Sequence, residues 1–479
     1  MTQTTDLRGT IPDRGSRNGS GGLALAVILL GQFMAILDVN IVNVALPTMR
    51  ADLRASGAGL QLVVAGYIIS YAVLLITGAR LGGIAGHRRL YQLGLASFTL
   101  ASLACGLAPT TGTLVVCRFL QGAGAAMLTP QVMSVIQRDF TGAARGRALG
   151  LYSAVIAGGI VVGQAAGGLL VAADLFGTGW RTVFLVNVPI GAALLLAGPR
   201  VLLRDEPAPR TRPLRAELDL PGVLTLAPAV LLLVVPLIMG HELGWPLWGW
   251  ASLGASAAFA AAFVAVERRV AASGGRPLVS PRVLRAPLLV PACVAIVFGP
   301  ATWSSFLFTT TLHLQGDLRM SPLESGLAFV PCVTAFGLVG LNWQRLPASW
   351  RRRAVPAGFA VAGAGYLFVG PLAGGGLAYE ALTVVIGFGL GVMPIIMTTA
   401  LRHVSPGDAA DASGLLLTLM QLAQVIGIAT AGTLFLSLAE SGGSTRHAEY
   451  GTGWALAGTV LLGALCALSL ARDRAPARP

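Results

Sequence analysis

Long apolar segments constrain this chain more than any other feature of its 479 residues. Each segment has about 20 residues, enough for a helix rising ~1.5 Å per residue to cross the ~30 Å hydrocarbon core of a bilayer. Lipid offers the backbone no hydrogen-bond partners, so these segments must be helical. The sequence therefore predicts an all-α polytopic membrane protein whose fourteen spans lie at 22–47, 58–78, 90–108, 112–136, 147–172, 183–203, 219–239, 247–270, 287–313, 323–345, 353–373, 377–402, 411–437 and 451–471.

Composition agrees with this interpretation and excludes several functions. Hydrophobic residues make up 55% of the chain and charged residues only 11%. The net charge of +13 comes from Arg alone, spread over short segments between apolar runs, so no nucleic-acid partner is expected. A phosphate-binding P-loop requires Lys, which the chain lacks, and we expect no ATPase site and no need for an ATPase subunit. Five scattered Cys and five scattered His predict neither a metal site nor a disulfide framework.

The distribution of Arg predicts the topology. With the N-terminus on the cytoplasmic side, 27 Arg fall in cytoplasmic segments or at the span ends that adjoin them and 5 fall in outer segments, which leaves Arg118 within the fourth span. Positive residues are enriched in cytoplasmic loops, and one missed span would disrupt the alternation. We therefore expect a multi-pass protein of the cell membrane with both termini in the cytoplasm.

A weak internal repeat predicts the domain organisation. The segment GARLGGIAGHRR at 78–89 is echoed by GLNWQRLPASWRRR at 340–353, and Gly94 corresponds to Gly358. The separation between the two copies equals the length of six spans plus two inserted ones. The predicted organisation is a disordered tail at 1–21, a six-helix half at 22–203, an inserted hairpin with linkers at 204–286, a second six-helix half at 287–471 and a tail at 472–479.

Asp38 lies within the first apolar segment, where a charged residue at the bilayer centre costs ~2.5 to 3.5 kcal/mol on insertion scales. Such residues usually face a protein interior or a water-filled cavity and are functional. Arg118 lies at a similar depth in the fourth segment. Burial favours the neutral acid and a nearby cation favours the carboxylate, so the pair can exchange a proton near physiological pH. The alternative is a permanent structural ion pair between two helices.

Several motifs resemble those of one transporter family. They are LDVNIVNVALP at 37–47, RFLQGAG at 118–124 and WRTVFLVNVPIG at 180–191. Together they make the chain similar to the 14-span drug:proton antiporter branch of the major facilitator superfamily, over nearly its whole length. Two motifs depart from the family pattern: Gly83 stands where the loop motif has Asp, and Gln164 stands where the antiporter motif of the fifth span has Pro.

The resemblance implies a proton-coupled exporter of small amphiphilic drugs or antibiotics that works by alternating access. It implies no cofactor beyond the proton as coupling ion, a small-molecule substrate and the bilayer as partners, and we expect a monomer. Asp38 and Arg118 are the predicted proton-coupling pair. The predicted substrate-binding residues are Gln32, Asn43, Gln121, Trp303, Phe306 and Gln421, and the predicted gating residues are Arg80, Gly86, Arg88, Arg89, Gly122, Gly163 and Gly167.

Alternatives remain open at this level. Simple helix packing explains the glycines of the fifth span as well as gating does. The missing Pro leaves a proton-coupled uptake symporter as the nearest rival function, and a non-transporting membrane receptor is a rival of another class. No catalytic constellation occurs at membrane depth, so the chain is not expected to be an enzyme.

Overall fold

The computed structural model describes residues 18–202, 205, 219–275, 277–402, 404–405 and 408–471. The predicted tails, except for residues 18–21, and most of the linker after the sixth span lie outside these residues. Within the described part the chain is helical and contains no strand. The helices are α1 (Asn18–Leu53), α2 (Gly57–Ala85), α3 (His87–Gly106), α4 (Thr111–Asp139), α5 (Gly142–Ala173), α6 (Thr182–Leu185), α7 (Asn187–Val201), α8 (Leu220–Met239), α9 (Leu247–Ala272), α10 (Pro281–Leu284), α11 (Leu289–Ile296), α12 (Phe298–Gln315), α13 (Pro322–Asn342), α14 (Ala348–Val369), α15 (Leu377–Leu390), α16 (Met393–Leu401), α17 (Ala409–Gly427), α18 (Thr433–Gly442) and α19 (Thr445–Ala471).

Twelve helical segments of the described chain are long and apolar enough to cross a membrane. Two of the fourteen predicted spans are not among them. Helix α3 begins with His87, Arg88 and Arg89, and it is less apolar than the others. Helix α14 has a shorter apolar part, at Arg353–Val369. Length and hydropathy thus establish a multi-pass membrane protein with about twelve spans.

Two hydrophobic cores organise the bundle. One unites buried residues of α1 to α8 with a few from α12 and α17 to α19, and the other unites buried residues of α10 to α17 and of α19. Helix α8 packs against α2, whereas α9 packs almost entirely against α8 and is mostly exposed. The two cores meet where α5 packs against α13 and α2 packs against α17.

Small residues allow the helices of the first core to approach one another closely. A Cβ built on Gly94 of α3 would lie 2.7 Å from the Leu128 nitrogen, and one built on Gly124 of α4 would lie 2.6 Å from the Phe98 nitrogen. The backbones of α3 and α4 therefore touch at this crossing. The same close packing carries Arg118 and Gln121 of α4 into the centre of the first half.

Candidate functional site

The carboxylate of Asp38 is completely buried, and three polar side chains bind it. Arg118 Nη1 lies 2.5 Å from Asp38 Oδ2. The other carboxylate oxygen, Oδ1, accepts from Gln121 Nε2 at 2.7 Å and from Asn187 Nδ2 at 2.9 Å. Gln121 Nε2 also donates to Ser102 Oγ at 2.8 Å. Helices α1, α3, α4 and α7 thus share one polar network inside the first half.

Arg118 has partners other than Asp38. Its Nε donates to the carbonyl oxygen of Val63 at 3.1 Å, and its Nη1 also donates to Gln121 Oε1 at 2.6 Å. The guanidinium carbon lies 4.5 Å from the ring centroid of Tyr67 and 5.6 Å from that of Phe184. Aromatic faces stabilise a desolvated cation. Arg118 would therefore keep several favourable contacts if Asp38 became neutral.

A cavity of about 260 Å³ lies between the two halves. Several helices contribute its walls, chiefly α1, α2, α12 and α17. Trp303 stacks on Phe336 with ring centroids 4.8 Å apart, which makes one wall flat and aromatic. The described lining residues are Gln32, Ala35, Ile36, Val39, Asn40, Asn43, Val64, Tyr67, Ile68, Tyr71, Thr129, Ile160, Pro300, Trp303, Ser304, Leu307, Phe336, Met393, Met420, Gln421, Gln424 and Ile428.

The described cavity wall contains amides and hydroxyls and no charged side chain. Gln424 Nε2 donates to Gln421 Oε1, and Gln424 Oε1 accepts from Ser304 Oγ at 3.1 Å. Gln32 Oε1 is buried and has no hydrogen-bond partner within the described chain. Apolar walls with a few polar groups are typical of small-molecule sites. A neutral wall favours an uncharged, flat, amphiphilic ligand over a permanent cation, which would find no counter-charge here.

Helix α1 connects the cavity with the ion pair. Its residues Gln32, Val39 and Asn43 line the cavity, whereas Asp38 faces α4 and does not. Tyr67 of α2 contributes to the cavity wall, and the face of its ring contacts the guanidinium of Arg118. The Asp38 network therefore lies directly behind the wall of the cavity.

The structure brings together only some of the predicted substrate-binding residues. Gln32, Asn43, Trp303 and Gln421 line the cavity. Gln121 instead belongs to the Asp38 network. Phe306 is 1% exposed and packs against Phe329 and Tyr366 in the second core, away from the cavity.

The predicted gating glycines lie at helix contacts. On α5, a Cβ on Gly163 would lie 2.8 Å from Asn40 Cβ, and one on Gly167 would lie 2.9 Å from the carbonyl oxygen of Ile41. Gly122 of α4 lies against the backbone of Tyr67 and the side chain of Ser70. These positions hold α1 and α2 against their neighbours; a gating role for them stays a prediction.

The remaining predicted gating residues lie at the end of the bundle where α1 begins. Arg80 Nη2 donates to the carbonyl oxygen of Pro277 at 2.7 Å and lies 3.9 Å from Asp411 Oδ1 of the second half. Arg88 Nη2 donates to the carbonyl oxygen of Pro199 at 2.7 Å. Arg80 thus contacts both the second half and the segment that follows the hairpin.

The carboxylate of Asp205 lies close to the loop motif between α2 and α3, in which Gly83 replaces the Asp of the family pattern. Its Oδ1 and Oδ2 accept from the backbone N–H groups of Arg88 and Arg89, each at 3.1 Å. Gly86, at φ +99°, leaves room for this carboxylate, which a Cβ would overlap. Burial alone would raise the pKa of Asp205. The two N–H groups and the guanidinium of Arg138 outweigh burial, so the pKa lies below its ordinary value.

Sequence reasoning missed two of these residues. Asn187 belongs to the quoted motif at 180–191, but nothing in the motif shows that its amide faces Asp38. Asp205 follows the sixth span by a few residues, and an isolated Asp in a polar linker gives no signal of capping a distant helix.

A polytopic helical bundle with a largely apolar cavity between two halves is typical of membrane transporters of small molecules. A family model described as Major Facilitator Superfamily matches residues 28–428. The chain is 37% identical over 425 residues to a Streptomyces coelicolor protein named "Probable actinorhodin transporter", with 87% of this chain and 72% of that protein covered. It is 36% identical over 457 residues to a cephamycin export protein of Amycolatopsis lactamdurans, with 93% and 90% covered.

Solved structures agree on the fold. A crystal structure of a bacterial homolog of the human lysosomal transporter Spinster has a TM-score of 0.67 at 16% identity, covering 95% of this chain and 97% of that one. The chain belongs to the Major Facilitator Superfamily, and it is a transporter rather than an enzyme.

Proposed function

We propose that this transporter exports small, uncharged, amphiphilic compounds of the antibiotic type and that inward proton flow drives the export. The observation that carries the proposal is the position of the Asp38 network directly behind the wall of a neutral, aromatic cavity. Relatives named as an actinorhodin transporter and a cephamycin export protein support export as the direction and antibiotics as the substrate class.

The coupling step follows from the contacts of Asp38. Protonation would remove the negative charge that holds α1 to Arg118, while Arg118 keeps Val63, Gln121 and the Tyr67 ring as partners. Helix α1 would then be free to shift relative to α4, and every such shift changes the cavity that α1 lines. Because coupling is reciprocal, a ligand that favours one position of α1 changes the proton affinity of Asp38.

The proposed topology has fourteen spans and both termini in the cytoplasm. The twelve helices that are long and apolar enough to span, together with α3 and the apolar part of α14, would make up this number. The 27-to-5 distribution of Arg supports the orientation. Alternating access would occur by movement of the two halves around the central cavity. The monomeric state stays a prediction.

The test uses inverted membrane vesicles with an acidic interior and a pH-sensitive dye. Chloramphenicol serves as a neutral probe and ethidium as a permanent cation. We expect neutral compounds to dissipate the proton gradient in the wild type and ethidium to have little effect. The Asp38→Asn variant should lose the response.

Asp52→Asn is the matched control, because Asp52 lies on the same helix, is 46% exposed and pairs with Arg181 at 2.6 Å. This variant should keep the response. A response that survives in Asp38→Asn would exclude Asp38 from coupling. Accumulation of the probe in right-side-out vesicles with an imposed inward proton gradient would establish uptake symport instead.

A further inference from the structure

The inserted hairpin brings together two carboxyl groups that have no part in the central site. Asp219 immediately precedes α8 and is 2% exposed, and Glu267 lies near the end of α9 and is 4% exposed. A Cβ built on Gly222 would lie 2.6 Å from Glu267 Oε1 and 2.8 Å from Asp219 Oδ2. The two carboxyl groups therefore face one another across the space that this glycine leaves open.

The hydrogen bonds distinguish the two acids. Both oxygens of Asp219 accept from backbone N–H groups, Oδ1 from Gly222 at 3.1 Å and Oδ2 from Leu278 at 2.9 Å, as expected for a carboxylate. Glu267 Oε2 accepts from the Val279 N–H at 2.6 Å, but Glu267 Oε1 is buried and has no donor within the described chain. Glu267 Oε1 lies within hydrogen-bonding reach of the Asp219 carboxyl group.

We propose that Glu267 and Asp219 form a second proton-binding site, in which one proton on Glu267 Oε1 is shared with Asp219. Two facing carboxylates cannot both stay ionised at low cost, and an unpartnered buried oxygen is unfavourable as well. One proton removes both penalties, because Oε1 then donates to Asp219. With the orientation of the proposed function, on which this inference rests, the site lies at the cytoplasmic end of the hairpin.

The site connects to both halves of the transporter through Arg80. Leu278 and Val279, which bind the two acids, directly follow Pro277, and the carbonyl oxygen of Pro277 accepts from Arg80 at 2.7 Å. The same Nη2 atom lies 3.9 Å from Asp411 Oδ1 at the start of α17.

Among the described residues, Asp219 and Arg80 are the charged groups that act on Glu267, with Asp411 beyond Arg80. Loss of the shared proton adds a negative charge on the hairpin side of Arg80. That charge competes with Asp411 for the guanidinium, and the contact between the two halves weakens. Deprotonation should therefore favour opening of the cytoplasmic end, where an exporter admits its substrate.

The test measures the distance between spin labels on the two halves as the pH is varied. Cysteines replace Gly83, which has open space around its Cα, and the exposed Ser349. The partly exposed Cys293 and Cys466 are removed. All variants carry Asp38→Asn, which removes the pH response of the central site.

We expect the population with the longer distance to increase as the pH is raised. Glu267→Gln, a neutral mimic of the protonated acid, should lose this transition and keep the low-pH distance at every pH. Asp219→Asn removes the like charge and should move the transition to lower pH. Glu242→Gln is the matched control, because Glu242 contacts the Ala58 N–H of α2 at 2.6 Å from the opposite end of the hairpin. It should keep the full transition.

An unchanged transition in well-folded Glu267→Gln, or no transition in the parent, would overturn the proposal and leave the acids as a structural clamp. If Glu267→Gln does not elute as a monodisperse protein, an unshifted transition in Asp219→Asn would overturn it equally. The measurement needs no transport and is made without Asp38. A failure of proton coupling at the central site would therefore not change the result of this distance measurement.

Discussion

At the scale of single residues, the Asp38–Arg118 pair has two explanations that stability can distinguish. Removing one partner of a purely structural buried ion pair costs ~3 to 5 kcal/mol, because the other charge loses its only compensation. A coupling site must instead tolerate a neutral Asp38 in every cycle. The contacts of Arg118 with Val63, Gln121 and Tyr67 favour the second case.

We therefore expect Asp38→Asn to lower the free energy of unfolding by only ~1.5 to 3 kcal/mol, comparable to the loss of one charged hydrogen bond, while abolishing proton-driven transport. Thermal unfolding of the purified protein, followed by tryptophan fluorescence, measures the first effect. Asp52→Asn, at the exposed end of the same helix, provides the reference. A loss of more than ~3 kcal/mol would identify the pair as structural.

Asp205 offers a prediction that depends on pH. Its lowered pKa means that the folded state binds the proton more weakly than the unfolded chain does. Its contribution to stability is therefore complete above the unfolded value of ~3.9 and is lost as the pH falls through the lowered pKa. Asp205→Asn should cost ~1 kcal/mol at pH 7, as loss of a helix cap does, and the difference from the wild type should vanish in acid.

Unfolding curves measured between neutral and acidic pH test this expectation. Asp139→Asn is the matched control, because Asp139 also binds Arg138, at 2.7 Å, but it does not contact the start of α3. This variant should lose less stability at pH 7. Equal losses in the two variants would mean that the ion pair with Arg138, rather than the cap, accounts for the effect.

At the scale of helices, the glycines of α5 allow a comparison within one element. A Cβ on Gly163 would lie 2.8 Å from Asn40 Cβ and 3.1 Å from the carbonyl oxygen of Leu37, whereas one on Gly158 meets nothing within 4 Å. Gly163→Ala must push α1 away and should cost ~1 to 3 kcal/mol, as overpacking does. Gly158→Ala should be neutral or stabilising by up to ~1 kcal/mol, because Ala is the better helix former.

Thermal unfolding and gradient dissipation measured on both variants decide the role of these glycines. If packing alone matters, Gly163→Ala should lose stability and transport in proportion. If α1 must also slide along α5, transport should fall further than the loss of folded protein explains. Equal stability of the two variants would contradict the close contact between α1 and α5.

The helices and the ion pair could be predicted because their signals are local. An apolar run reveals a span, and a charge inside such a run reveals a buried site, as for Asp38 and Arg118. The orientation of an uncharged side chain has no such signal. Trp303 lines the cavity and Phe306, on the same helix, lies in the second core, although both are aromatic. The two backbone N–H groups that Asp205 binds lie more than 100 residues away, and only the fold brings them together.

At the scale of the whole molecule, the number of spans is open to a direct test. Single cysteines at Gly83, Gly112 and His241, all exposed, are made in a chain without Cys293 and Cys466. In intact cells, a membrane-impermeant thiol reagent should label positions 112 and 241 and leave position 83 unlabelled until the membrane is opened. If α8 and α9 did not cross the bilayer, position 241 would behave like position 83. Labelling of position 83 in intact cells, with position 112 protected, would reverse the orientation, place the Arg-rich segments outside and contradict the proposed topology.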